Sequence, residues 1–224
     1  MIGPLLPTVP TRRTLDAATT PKPMQIDPND HNPQLIYQLM TSVIVPRPIA
    51  WVSTLSRDGV LNLAPFSFFN GITSKPPLLS IAVSRRRGIR KDTAHNASST
   101  GQFVVNVVTD PQLDKMVETS ADHPPDVDEF ASVGLTPIDS VAVKPPRVAE
   151  APVQLECLTR QIVEISPGIV DLVIGEVVMF HVSDELPIDD GLRVPAAALR
   201  PIGRLGADEY TTLGDIKRVD RPKL

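Results

Sequence analysis

Ten residues at 84–93, SRRRGIRKDT, place five cations (Arg85, Arg86, Arg87, Arg90 and Lys91) just before Asp92 and Thr93, two residue types that open helices. Three uses are open to such a run. It can be a solvated charged loop. It can face nucleic acid, although no aromatic residue interleaves the cations to stack on bases and the whole chain carries a formal net charge of -4. It can hold a phosphate, because a helix N-terminus offers free amide donors at its positive dipole end and Arg and Lys add charge-assisted bonds. The third use calls for one small phosphorylated ligand rather than a long polyanion.

A second stretch, NLAPFSFFNG at 62–71, holds three of the six phenylalanines in the protein, yet sets Pro65, Ser67 and two asparagines among them. Proline cannot join a central ladder, so Pro65 marks a strand that stands at an edge or leaves its sheet. Backbone amides beyond it are then free to bond a ligand, Ser67 and Asn70 add polar side chains, and Phe66, Phe68 or Phe69 can wall an apolar ring. A flat heteroaromatic ring with polar edges and a phosphate tail fits both stretches. Flavin mononucleotide (FMN) has that form.

Other chemistry finds little support. There is no G-x-G-x-x-G after a strand, no Walker A loop and no G-x-S-x-G elbow. The four histidines, at 31, 95, 123 and 181, are too far apart for a paired H-x-x-x-H, so no metal site is expected. Asp122, Asp126, Asp128 and Glu129 surround two prolines without the glycine of a calcium loop, and read as a solvated acidic loop. Cys157, the one cysteine, alternates with Val153 and Leu155 on a strand face and reads as core. It excludes an internal disulfide and fits a reducing compartment.

The elements that must carry these stretches are short and mostly extended. Apolar runs at 49–55, 78–83, 103–108, 153–165 and 170–182 favour β-branched residues, and 24 prolines punctuate the 224-residue chain. Such a series suggests a barrel or sandwich. Ser56-Arg57-Asp58-Gly59 predicts a tight turn joining IAWVSTL to VLNLAP. Short helices are expected near 93–99 and 111–119, with one turn at PAAALRP. The fold class is therefore mainly β, a single domain over 29–224 after an extended, proline-rich arm over 1–28. The arm has prolines at 4, 7 and 10 and arginines after its apolar residues, the wrong order for a secretory signal, and no run is long enough for a membrane span, so a cytoplasmic protein without nucleic-acid or membrane partners is expected.

Seven blocks in order resemble the flavin reductase-like family of FMN-binding split β-barrels, closest to the branch of flavoredoxin and the reductase components of nitrilotriacetate-type monooxygenases. They are RPIAWVST (47–54), NLAPFSFFNGITSKPPLLSIAVS (62–84), RKDTAHN (90–96), GQFVVNVV (101–108), DEFASVGLTP (128–137), VIGEVVMFHV (173–182) and RLGADEYTTL (204–213). The resemblance implies Ser67, Phe68, Phe69 and Asn70 around the flavin ring and ribityl chain, with Thr73 and Ser74 next to them. It implies Lys91, Asp92 and Thr93 at the phosphate, and Arg47, Pro48, Ser53 and Thr54 on a facing strand. It implies a homodimer with flavin at the interface, to which Tyr210 is a candidate contributor or else a structural tyrosine.

The implied activity is an NAD(P)H:FMN oxidoreductase that supplies reduced flavin to a partner monooxygenase. The flavin accepts a hydride and the protein orients it, so no catalytic acid or base is required. One departure bears on the reductant. Where short-chain reductases of the wider family often carry Gly-Asp-His, this chain has Gly168-Ile169-Val170-Asp171, and His123 is the only replacement in view. That keeps open an electron carrier that binds FMN but turns over no nicotinamide.

Overall fold

In the computed structural model of the protein, residues 23–222 are described. The chain divides into two compact units, residues 1–37 and 38–224. In the first, Asp27 accepts from the Asn29 amide at 2.9 Å and caps a 3-10 turn, Pro28–Asp30. Helix α1, Pro33–Val43, starts on a proline after Asn32, whose side chain accepts from the Gln34 amide at 2.8 Å. Most of the arm expected over 1–28 lies outside the described residues.

The second unit runs β1 (Arg47–Pro48), β2 (Ala50–Leu55), β3 (Leu61–Phe66), β4 (Phe69–Ser74), β5 (Pro77–Ser84), α2 (Asp92–Thr100) and β6 (Gln102–Asn106). A 3-10 turn and α3 (Leu113–Glu118), α4 (Glu129–Val133), β7 (Pro137–Ile138) and β8 (Arg147–Val148) follow. The chain ends with β9 (Val153–Ser166), β10 (Val170–Val182), α5 (Ala196–Leu199), β11 (Gly203–Arg204) and β12 (Tyr210–Thr211). Every long apolar run is a strand, and the three expected helical segments are helical. The tight turn at 56–59 forms as expected, with Gly59 at φ 85° and Ser56 N donating to Val60 O at 2.9 Å.

Seven antiparallel strands form one sheet in the order β3-β2-β6-β9-β10-β5-β4. Its two outermost strands, β3 and β4, are joined by Ser67 and Phe68 alone. Two residues span only about 10 Å between strand ends. The sheet must therefore curl until its edges approach each other, which makes a barrel split between β3 and β4. Here is the reason for the composition of NLAPFSFFNG: Pro65 sits on an edge strand, where a missing ladder donor is tolerated.

Alternation along β2 separates two cores. Ala50 and Val52 face the barrel interior with Ile81, Val83, Phe103, Val105 and Cys157. Ile49 and Trp51 face an outer layer with Leu63, Met116, Phe130 and Ile202. Inside the barrel, the ring of Phe103 packs against Gly175, where a methyl group would overlap it. Cys157 is fully buried, and burial pushes its thiol well above the ordinary range, as an inert core residue requires.

Buried charges fasten the outer loops. Glu156, fully buried, accepts from the amides of Val141, Ala142 and Val143 at 2.8, 2.6 and 3.1 Å and bonds His181 Nε2 at 2.6 Å. Burial alone would raise its pKa, but these bonds outweigh it and hold the carboxyl below the usual range.

Candidate functional site

An open cleft of about 460 Å³ lies along the edge strand β3. Its floor is Asn62 and residues 64–66, one wall is residues 86–93 apart from Gly88, and the other is residues 119–123 with Pro125 and Glu129. Arg86, Arg87, Arg90 and Lys91 make it cationic, against Asp92, Asp122 and Glu129.

The floor is held by a buried polar hub. Asn62 Oδ1 accepts from Thr54 Oγ1 at 3.1 Å and from Thr93 Oγ1 at 2.9 Å, while Asn62 Nδ2 donates to Glu129 Oε1 at 3.1 Å. Glu129 Oε2 accepts from the Leu63 amide at 3.1 Å, and Asn96 Nδ2 donates to Thr54 Oγ1 at 3.0 Å. The start of α2, the start of α4 and β3 are thereby locked together. Burial pushes the Glu129 carboxyl above the usual carboxylate range, against the pull of the Leu63 amide and Asn62. Glu129 is thus not part of a solvated acidic loop: it is 5% exposed and structural. Its neighbour Asp128 caps α4 by accepting from the Ala131 amide at 3.2 Å, and Gly134 ends that helix at φ 65°. On the far wall, Trp51 Nε1 donates to Thr119 Oγ1 at 2.9 Å and fixes where that wall begins.

The cations differ in what already engages them. Arg85 makes a two-pronged bond to the fully buried Asp171, at 2.8 and 2.7 Å, and pairs with Glu164 at 2.9 Å. Arg90 reaches the same carboxylate at 3.3 Å with both nitrogens. The Arg85 bonds, outweighing burial and aided by Arg90, hold the Asp171 carboxyl below its ordinary range. Two of the five cations in SRRRGIRKDT therefore anchor the loop. Arg86 pairs with Asp122 at 3.3 Å across the cleft, both exposed. Arg87 and Lys91 have no carboxylate partner among the described residues. Lys91 is also the N-cap of α2 and makes no side-chain cap bond there, which leaves first-turn amides of that helix uncapped.

The thirteen residues singled out in the sequence fall into groups. Lys91, Asp92 and Thr93 line the cleft. Thr54 stands behind it in the hub, and Ser53 is buried elsewhere, donating to Pro146 O at 2.6 Å. Arg47 is 5% exposed and ties three segments together: it donates to the Thr41 and Ile44 carbonyls at 2.6 and 2.9 Å, to Leu205 O at 2.7 Å and to Ser67 Oγ at 3.2 Å. Its guanidinium also lies 5.9 Å from the Phe68 ring centre. Ser67 and Phe68 form the corner of the split, Phe69 packs partly on the barrel core, and Pro48, Asn70, Thr73 and Ser74 are exposed, the last three along β4. Phe66 alone of the aromatic trio lines the cleft. Sequence inspection missed the roles of Asn62 and Glu129 and, apart from His123, the 119–123 wall. An Asp cap followed by Gly134 at 128–134 was the available sign of α4. Tyr210 is engaged in its own chain, accepting from Arg204 with its ring 4.3 Å from that guanidinium.

Comparison with known proteins now decides the family. Residues 40–193 match the flavin reductase like domain. The chain belongs to that family. Among solved structures it is similar to nitrilotriacetate monooxygenase component B from Bacillus cereus, at 38% identity and a TM-score of 0.84, covering 89% of this chain and 100% of the other. It is similar also to the 2-nitrobenzoate 2-nitroreductase NbaA of Pseudomonas fluorescens, at 34% identity, a TM-score of 0.81, and coverage of 89% and 96%. Flavoredoxin of Desulfovibrio vulgaris (Miyazaki F) shares the fold, at 22% identity, a TM-score of 0.68, and coverage of 78% and 91%. For this flavin reductase-like chain, the features that suit a flavin are specific ones. A lysine with no carboxylate partner among the described residues stands beside an uncapped helix start, in an open cationic cleft whose floor ends at Phe66, next to the corner of the split. Among the described residues no cluster of His, Cys, Asp or Glu could hold a metal ion, and no helix is long and apolar enough to cross a membrane.

Proposed function

We propose that this protein is an NAD(P)H:FMN oxidoreductase that passes reduced flavin to a partner monooxygenase. The observation that carries it is one cleft that holds the uncapped α2 start and a Lys91 with no carboxylate partner among the described residues, and whose floor ends at Phe66, the residue before the split-barrel corner. Lys91 and the first-turn amides at Asp92 and Thr93 would hold the phosphate. Ser67, Phe68, Phe69 and Asn70 at the corner, with Thr73 and Ser74 on β4, would flank the ring and ribityl chain. Arg47 and Thr54 would act from behind, Arg47 by holding Ser67 in place and Thr54 through Asn62 and Thr93. Pro48 and Ser53 are further members of the same proposed surround.

Bound FMN supplies a ring that accepts a hydride from NAD(P)H and later yields electrons to an acceptor. The protein's own contribution is orientation and electrostatics. Backbone amides past Pro65 can donate to the polar edge of the ring, and the cleft cations favour the anionic reduced form over the neutral oxidised one. His123, on the far wall of the cleft, would be the group that meets a nicotinamide. Exposure of β4, including Ile72 at 51%, supports a homodimer that covers this edge and completes the ring end of the site.

A second reading is favoured by one observation. Asp171, in the segment that replaces Gly-Asp-His, is buried under Arg85 and Arg90 and cannot reach a nicotinamide. That suits an FMN electron carrier which receives electrons from a protein. Anaerobic stopped-flow mixing of FMN-loaded protein with NADH or NADPH separates the two. Rapid saturable bleaching of the oxidised-flavin band is expected, and bound FMN that does not bleach refutes the reductase.

A further inference from the structure

The cleft holds more positive charge than one flavin phosphate uses. With Arg90 engaged by Asp171 and Lys91 beside α2, Arg86 and Arg87 remain. They stand at one end of a two-residue hairpin: Arg86 N donates to Ile89 O and Ile89 N to Arg86 O, each at 2.9 Å, with Arg87 at φ 50° and Gly88 at φ 82°. Positive φ at both central residues is a type I′ turn, for which Asn-Gly is the favoured pair. An arginine at the first position is conformationally disfavoured and contributes nothing to the turn itself. The hairpin is nonetheless rigidly backed. Arg85 N donates to Ile169 O at 2.6 Å, and the backbone of Gly88 lies against Gly168. A cation is thus held on a fixed support at the cleft wall, at a site better suited to asparagine.

We infer that Arg86 and Arg87 form a second anion subsite of this cleft, which takes the second phosphate of a dinucleotide. Three residues lie between Arg87 and Lys91, so the two are at most about 14 Å of extended chain apart. Their long side chains can converge on neighbouring phosphates. The exposed Arg86–Asp122 pair is weak and gives way to a phosphate, which offers Arg86 a bidentate partner. Nucleic acid is a poor alternative, since two cations on an acidic protein make no tract. The diphosphate can come from a dinucleotide flavin (FAD) or from a nicotinamide dinucleotide. The inference rests on the proposed flavin site only for the position of the first phosphate.

The test is calorimetric titration of the flavin-free full-length protein with FMN and FAD, and of flavin-free and FMN-saturated protein with NAD⁺ and NADP⁺. The variant is Arg87→Asn, which removes the charge but suits the turn. Loss of one charged contact is expected to weaken at least one dinucleotide roughly 10- to 100-fold while FMN stays within about threefold. Weakened FAD names the flavin as the source, and weakened NAD⁺ or NADP⁺ names the nicotinamide. Asp122→Asn, which frees Arg86, should tighten the same dinucleotide by up to about fivefold. The subsite is refuted if every dinucleotide binds Arg87→Asn as it binds wild type, or if FMN weakens equally. If wild type binds neither flavin, the flavin reading fails, and the nicotinamide titrations of the flavin-free protein still decide the subsite.

Discussion

Asn62→Asp tests the hub beneath the cleft with a change of one atom. The substitution keeps an oxygen for Thr54 and Thr93 but sets a second carboxylate oxygen where Nδ2 now donates to Glu129 Oε1 at 3.1 Å. The lost charge-assisted bond is worth about 1.5–3 kcal/mol. Two full charges at that separation repel by about 5 kcal/mol at an effective dielectric constant of 20. The pair can avoid the repulsion by sharing a proton, which costs about 1.4 kcal/mol per pH unit above a normal carboxyl pKa near 4. The folded-state pKa of the pair is then raised, so its stability is retained at low pH and lost as pH rises. Relative to wild type, the variant should be destabilised by about 1–2 kcal/mol at pH 5 and about 4–5 kcal/mol at pH 8. His123 also acts on Glu129, but it is present in both proteins and largely cancels in the difference. Urea unfolding can be followed by the single tryptophan, Trp51, which is fully buried. Asn62→Ala is the control, with a loss of about 2–3 kcal/mol that rises less steeply with pH, because it removes the bond favouring the Glu129 carboxylate but adds no second charge. A gap for Asn62→Asp below about 1 kcal/mol at pH 8, or equal at both pH values, would refute the hub as drawn.

Other expectations are simpler to state. Lys91→Ala should weaken FMN by about 1–3 kcal/mol without lowering the melting temperature, and an unchanged dissociation constant removes Lys91 from the site. Gly175→Ala should destabilise the barrel by about 1–3 kcal/mol, because the added methyl overlaps Phe103; pairing it with Phe103→Leu should recover part of that loss in urea unfolding. Asp171→Asn should cost about 3 kcal/mol at pH 7 by leaving Arg85 and Arg90 facing a neutral group. Because the folded-state pKa of Asp171 is lowered, its contribution is present above the unfolded value near 4 and is lost as pH falls. The gap to wild type should therefore narrow below pH 4, and a constant gap counts against the ion pair.

The strands were legible because a barrel strand must fill one face or two with apolar side chains, and runs such as FVVNVV and VDLVIGEVV can do little else. The short pairs β1–β11 and β7–β8 were not, since two-residue strands carry no periodic signal. Helix α1 was open to reading from Asn32-Pro33, a cap and first-turn proline, and from Leu35, Ile36, Leu39, Met40 and Val43, which recur at helical spacing on one face. Charge was the harder matter. An acidic residue in a proline-rich segment is most often solvated, and nothing local to Glu129 says that Asn62 and the Leu63 amide, over 60 positions earlier, will surround it. Arg85 and Arg87 look alike in SRRRGIRKDT, yet one is bound to Asp171, 86 residues on, and the other has no carboxylate partner among the described residues.

That division follows from the topology. Arg85 directly follows β5, whose ladder with β10 sets Val83 opposite Asp171, so its guanidinium meets a carboxylate that the ladder has already buried. Two residues later the chain has left the sheet and turned at Gly88, and a cation there faces the cleft instead. The split between β3 and β4 acts in the same way on NLAPFSFFNG. Residues up to Phe66 still belong to a ladder, those from Phe69 belong to another edge, and Ser67 and Phe68, with their backbone amides, stand where the chain passes between them. A barrel closed at this point would pair those amides with each other. Leaving it open keeps them available at the end of β3 opposite Asn62, through which the α2 start is locked to that strand by Thr93, so a ligand with a ring at one end and a phosphate at the other would run along β3 to engage both.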